Sequence, residues 1–187
     1  MRAMLPTAGP SELERIMACP EAGQGMVGVT APEALSIAAC LRKNRSRAEQ
    51  QRIYELAVEN AKKVAARVPG ESDGAPLPCA LHGHDHVCCA YGSRPLHCRP
   101  LHAISIAKAI GGNNVPPSGS ETATPDELGH ERTVSEGIEM GLTRALESAG
   151  LDAKIYELNN ALATALETPD AAERWAKGEN VFHNPLP

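Results

Sequence analysis

The sequence predicts a mainly all-α fold in which an irregular cysteine-rich loop region, stapled by metal, packs on helices. Three observations predict it. Apolar residues recur at three- and four-residue spacing over several segments, whereas no long stretch alternates with period two. Patterns that start helices, with a Glu three residues after a Ser or Thr, stand in front of those segments. Four of the six Cys fall within Cys79–Cys98, and five of the seven His within His82–His102.

Thr30-Ala-Pro-Glu33 is a capping-box pattern with Pro in the first turn, so a helix is expected from Ala31 to Lys43. Ser46-Arg-Ala-Glu49 is a second such pattern. Beyond it Ile53, Ala57, Asn60, Ala61, Val64 and Val68 keep helical spacing until Pro69-Gly70. Glu71 to Pro78 reads as a loop delivering the chain into the cysteine run, within which Tyr91-Gly-Ser-Arg-Pro95 signals a turn. A short helix is expected from Ala103 to Ile110, ended by Gly111-Gly112. Residues 113–124, rich in Pro, Ser, Gly and Thr, read as a flexible linker loop. Thr124-Pro-Asp-Glu127 then caps a long helix whose expected buried stripe is Val134, Ile138, Leu142, Ala145 and Ala149, with Gly150 as its stop. Ile155, Leu158, Leu162 and Leu166 form the next stripe, up to Thr168-Pro169. A last helix over Asp170 to Lys177 carries the single Trp.

At 187 residues the chain reads as a single domain, 1–187. Within it, 19–110 forms the cysteine-cluster region and 125–178 the C-terminal helices. Charged residues at 22% and apolar ones at 42% belong to a globular chain, and aromatics at 3% leave the core to Leu, Ile, Val and Ala. No run of apolar residues is long enough for a membrane span. Met1 to Pro10 has no apolar h-region, which excludes a secretory signal there and points to the cytoplasm. With a net charge of −5 and no basic stripe, nucleic acid is not an expected partner.

In a reducing compartment, clustered thiols point to metal or catalysis rather than to disulfides. Cys79, Cys88 and Cys98 lie on a stretch too irregular to make a buried core by itself. Soft thiolates suit zinc or an iron–sulfur cluster, both of which take four ligands. The fourth is Cys19, Cys40 or a histidine. Cys19 sits in a Gly/Pro-rich stretch that can fold over a site, whereas Cys40 falls among Ala and Leu of a predicted helix, as a buried inert thiol would. Of the neighbours Cys88 and Cys89, only one can comfortably face the same metal. His82, His84 and His86 alternate, so an extended backbone would align three imidazoles on one face, for zinc or copper; the plainer reading is a solvated polar loop. His97 and His102 flank Cys98 as outer hydrogen-bond partners, and Arg94 and Arg99 suit that role better, since guanidinium groups offset thiolate charge. A Cys/His nucleophile pair could be drawn from Cys89 and a nearby His, but nothing marks an oxyanion site. Neither GxGxxG nor GxxxxGK[ST] occurs.

Cys79-x8-Cys88-x2-Tyr91-x2-Arg94-Pro95-x2-Cys98-Arg99 resembles the C-x8-C-x2-Y-x2-RP-x2-CR signature of the YkgJ-type cysteine-cluster proteins, described as zinc- or iron-chelating domains. Pro100-Leu101-His102-Ala103 is similar to the family's continuation, and Val29 to Ala34 and Ala39 to Arg42 to its first helix. Gly150 to Leu166, Glu173 to Trp175 and Gly178-Glu179 resemble its C-terminal helices. The resemblance spans Cys19 to Phe182. It implies a metal-binding protein holding one zinc ion or iron–sulfur cluster on Cys79, Cys88, Cys98 and Cys19, with Arg94, Arg99, Tyr91 and His102 around the thiolates. The family's opening C-x2-G-C-x2-CC run is reduced here to Cys19, with Gly23, Met26 and Val27 where the other thiols are expected. A later family Cys is absent among Ile106 to Ala109. Two alternatives follow: protein lysine methyl transfer, which the flagellin lysine N-methylases of the family imply, and a helical interaction protein that has lost its metal. An enzyme is the less expected outcome.

Overall fold

The computed structural model describes residues 27–67, 77–83, 87–99 and 125–186. The expected helix at Ala103 to Ile110, the linker at 113–124, and Cys19, His84, His86 and His102 lie outside them. In chain order the elements are strand β1 (Gly28–Thr30), helix α1 (Ala31–Asn44), helix α2 (Arg47–Ala65), a 3₁₀ turn (Tyr91–Ser93), helix α3 (Pro125–Ser148), strand β2 (Ile155–Glu157), helix α4 (Leu158–Glu167) and helix α5 (Ala171–Ala176). The described residues are thus mostly helical.

Local chemistry accounts for the helix ends. The backbone N–H and the hydroxyl of Thr30 both donate to Glu33 Oε2 at 2.8 Å, satisfying donors that the first turn of α1 leaves open. Ser46 and Glu49 repeat the device on α2, the Glu49 N–H donating back to Ser46 Oγ. The Ser46 bonds hold the Glu49 carboxyl below its ordinary pKa. At the C-termini of α3 and α5, Gly150 (φ +68°) and Gly178 (φ +81°) adopt the left-handed conformation. The N–H groups of Leu151 and Glu179 then reach back to the carbonyls of Leu146 and Arg174, closing two Schellman motifs.

Helix α4 packs against α1 and α2. Ile37 and Leu41 of α1, Ile53 and Ala57 of α2, and Ala161 and Leu162 of α4 are almost wholly buried. Ala31, Ala34, Ala38 and Ala165 are fully buried too, and their small side chains let helix backbones approach closely. The aliphatic core expected from the composition is present, but Tyr156 and Phe182 sit within it, ring centroids 5.5 Å apart.

Two expectations are corrected here. Ile155 does not open the helical stripe: it lies in β2, which pairs antiparallel with β1 in the register Gly28–Glu157, Val29–Tyr156 and Thr30–Ile155. On the other side of β2, Pro185 bridges to Tyr156 and the Leu186 N–H donates to the Ile155 carbonyl. Strands of three residues are too short to show a period. A Cβ on Gly28 would lie 2.8 Å from Ile155 Cγ2, so any larger residue there would force Ile155 to shift. The second correction concerns α3, whose helical span is as expected while its inward face is not. Val134 and Ile138 are 58% and 53% exposed, Ala145 and Ala149 are also exposed, and Leu142 is half-buried. Among the described side chains of this helix Leu146, at 7%, is the buried one, a position further round the cylinder than Ala145.

Candidate functional site

In the described residues of the cysteine region, 81–83 pair antiparallel with 87–89, and two turns follow. The Cys89 N–H donates to the Leu81 carbonyl at 2.7 Å and the Gly83 N–H to the Val87 carbonyl, while His82 pairs antiparallel with Cys88. The His82 N–H closes onto the Cys79 carbonyl, and the Tyr91 N–H onto that of Cys88. After the 3₁₀ turn, the Cys98 N–H returns to the Pro95 carbonyl at 3.0 Å. Turns therefore fix the backbone at all three motif cysteines.

This irregular stretch packs on the helices and contributes to their core. Ala80, Leu81 and Ala90 are almost wholly buried, and Cys88 and Cys89 are 7% and 6% exposed within the same apolar cluster. Both neighbouring thiols thus pack inward. Cys79, Cys98 and His82 are half-buried. Cys40 is half-buried rather than buried, and Asn44 Nδ2 donates to its sulfur at 3.4 Å on the flank of α1.

Three side chains of the helical body pin the region, one near each motif cysteine. Asn60 of α2, 1% exposed, donates from Nδ2 to the Pro78 carbonyl at 2.8 Å, just before Cys79. Arg45, past the end of α1, donates to the Cys89 carbonyl at 3.4 Å. Glu33 accepts the Leu96 N–H on Oε1 at 2.7 Å, two residues before Cys98, while its other oxygen caps α1. One carboxylate therefore ties helix start and cysteine turn together. Asn60 also donates to Asn159 Oδ1, whose amide donates in turn to Glu157 Oε1. A partly buried polar relay so joins the entry to Cys79 with the first turn of α4.

The arginines differ. Arg94 is 6% exposed, and its guanidinium carbon stands 4.4 Å above the centroid of the Tyr91 ring, a cation–π contact that packs the turn. Arg99 is exposed, as is His97, whose Nδ1 lies 3.7 Å from Glu139 Oε2 on α3. Glu33, Arg45 and Asn60 were not legible as site residues. The available signals were the capping box, which accounts for one Glu33 oxygen only, and a polar Asn60 in an otherwise apolar stripe.

Among the described residues, no three His, Cys, Asp or Glu side chains gather as a metal-binding group. Cys79, Cys88 and Cys98 are thus not brought together as a ligand group among the described residues, and Cys19, the fourth expected ligand, lies outside them. No described helix is long and apolar enough to cross a membrane. The chain matches no protein-family model, no curated protein and no solved structure.

Proposed function

We propose that this chain is a metal-binding protein of the YkgJ cysteine-cluster type, holding one zinc ion or iron–sulfur cluster through Cys79, Cys88, Cys98 and Cys19. The observation that carries this reading is the unbroken cysteine–tyrosine–arginine register from Cys79 to Arg99. What supports it is that the motif's Tyr91 and Arg94 stack on each other and that the helical body pins each cysteine turn separately. Cationic Arg94 and Arg99 would offset the charge of the thiolates, and His102 is assigned the same role from the resemblance alone. The metal supplies cross-linking if zinc, or electron transfer if a cluster. The cytoplasm is the compartment proposed, because thiolates stay reduced there.

Substitution Cys98→Ser tests the ligand set. The expected outcome is loss of stoichiometric metal, with a lower melting temperature because binding free energy is folding free energy. Full metal occupancy in Cys98→Ser would remove Cys98 from the set. A second reading, a metal-free helical interaction protein, draws support from the burial of Cys88 and Cys89 in the apolar core and from the exposed Val134, Ile138 and Met140 on α3. It predicts no effect of chelators on stability.

A further inference from the structure

Helix α3 carries a second stripe, on its solvent side. Val134, Ile138, Gly141 and Ala145 follow one another at steps of four, three and four residues, which keeps them on one face of a helix. All four are exposed, Val134 at 58% and Ile138 at 53%. We infer that this face is the contact between two copies of the chain, their α3 helices packed antiparallel about a two-fold axis.

The glycines supply the first argument. Gly137 and Gly141 lie within α3, where glycine is the poorest helix former short of proline. Among the described residues a Cβ on either would meet nothing within 4 Å. Neither has the left-handed backbone that glycine adopts most easily. Packing within the described chain therefore does not call for glycine at these positions, whereas a second helix backbone laid closely against the face does. The order of residues along the stripe supplies the second argument. Its N-terminal half carries the large side chains, Val134 and Ile138, and its C-terminal half the small Gly141 and Ala145. An antiparallel two-fold axis midway along the stripe lays Val134 of one copy on Ala145 of the other, and Ile138 on Gly141. Each contact then occurs twice, as a self-complementary interface requires. A parallel pair would set large on large and small on small. The same axis brings exposed Glu136 to the level of exposed Arg144 of the second copy, so that opposite charges flank the seam. None of these residues is assigned to the metal, so the contact stands or falls apart from the metal-binding reading.

A contact made by one helix face per copy belongs with the small, reversible interfaces. Below its dissociation constant the face returns to solvent, and substitutions there leave the folding free energy of the single chain unchanged. The test is sedimentation of the intact chain from micromolar to millimolar concentration, where a reversible monomer–dimer equilibrium is expected. Gly141→Gln, which retains the helix and fills the notch, and Val134→Asp should each weaken association by about tenfold or more, with the helical circular dichroism unchanged. Glu136→Arg and Arg144→Glu should each weaken it by about threefold or more, and the two together should restore it to within about twofold of the native chain. A chain that stays monomeric throughout would overturn the inference, whatever other protein the face might serve. A dimer indifferent to Gly141→Gln and Val134→Asp would place the contact elsewhere on the molecule, with the same consequence. Charge reversals that fail to compensate one another would end the antiparallel arrangement.

Discussion

Tyr156 concentrates several of the forces that hold this molecule together. Its ring is fully buried against Phe182 and its hydroxyl donates to Asp152 Oδ2 at 2.6 Å. Burial first, then the hydrogen bond and charge of Asp152, push its ionisation well above the ordinary tyrosine range. The sign of the linkage follows. An unfolded tyrosine loses its proton near about pH 10 while the folded one keeps it, so this contribution is complete below that pH and declines above it. Urea titrations at successive alkaline pH values should show stability falling more steeply for the native chain than for Tyr156→Phe; parallel curves would contradict the assignment. At Asn60 the wager is different. Truncation to Ala leaves the relay to Asn159 broken beneath the core, at a cost of about 1–3 kcal/mol. A double-mutant cycle with Asn159→Ala should return a coupling of about 0.5 kcal/mol or more, and strict additivity would deny the relay. Glu33→Ala orphans three donors at once, so it should destabilise by about 1–3 kcal/mol, more than Glu33→Gln, which retains an acceptor oxygen. The capping role of Glu33 was readable from Thr30-x-x-Glu33; its second role depends on Leu96, which only the folded chain brings alongside.

The helices were legible because their determinants are local. Thr30 and Ser46 mark the starts of α1 and α2, and Gly150 and Gly178 end α3 and α5. Gly150→Ala should therefore cost about 1 kcal/mol by denaturant midpoint. Its Cβ would meet open space, so the penalty is conformational, and Gly150→Asn should recover part of it. The sheet was not legible, since β1 and β2 pair across most of the chain and three residues carry no periodic signal. Nor was the orientation of α3. Periodicity identifies a helix and an apolar stripe, but the rest of the chain decides which face is covered. Leu146→Ala should accordingly cost about 2 kcal/mol, as deletion in a packed site does, while Ile138→Ser should change stability by less than about 0.5 kcal/mol. The reverse ranking would restore the stripe expected from the sequence.

The cysteine region and the helical body form one piece of architecture. The sequence marks Cys79, Cys88 and Cys98 through their register, and the fold adds what spacing does not convey. Asn60, Arg45 and Glu33 reach from distant positions to the turns on which those cysteines sit, and Ala80, Leu81 and Ala90 anchor the stretch in the core. The most direct test of the metal-binding reading is the metal content of protein purified anaerobically from metal-replete cells, measured together with its visible absorption spectrum. The account predicts one metal centre per chain: a colourless protein with one zinc ion, or a brown one with iron and acid-labile sulfide. A stable, helical, metal-free protein whose thiols all titrate on mild unfolding would contradict it.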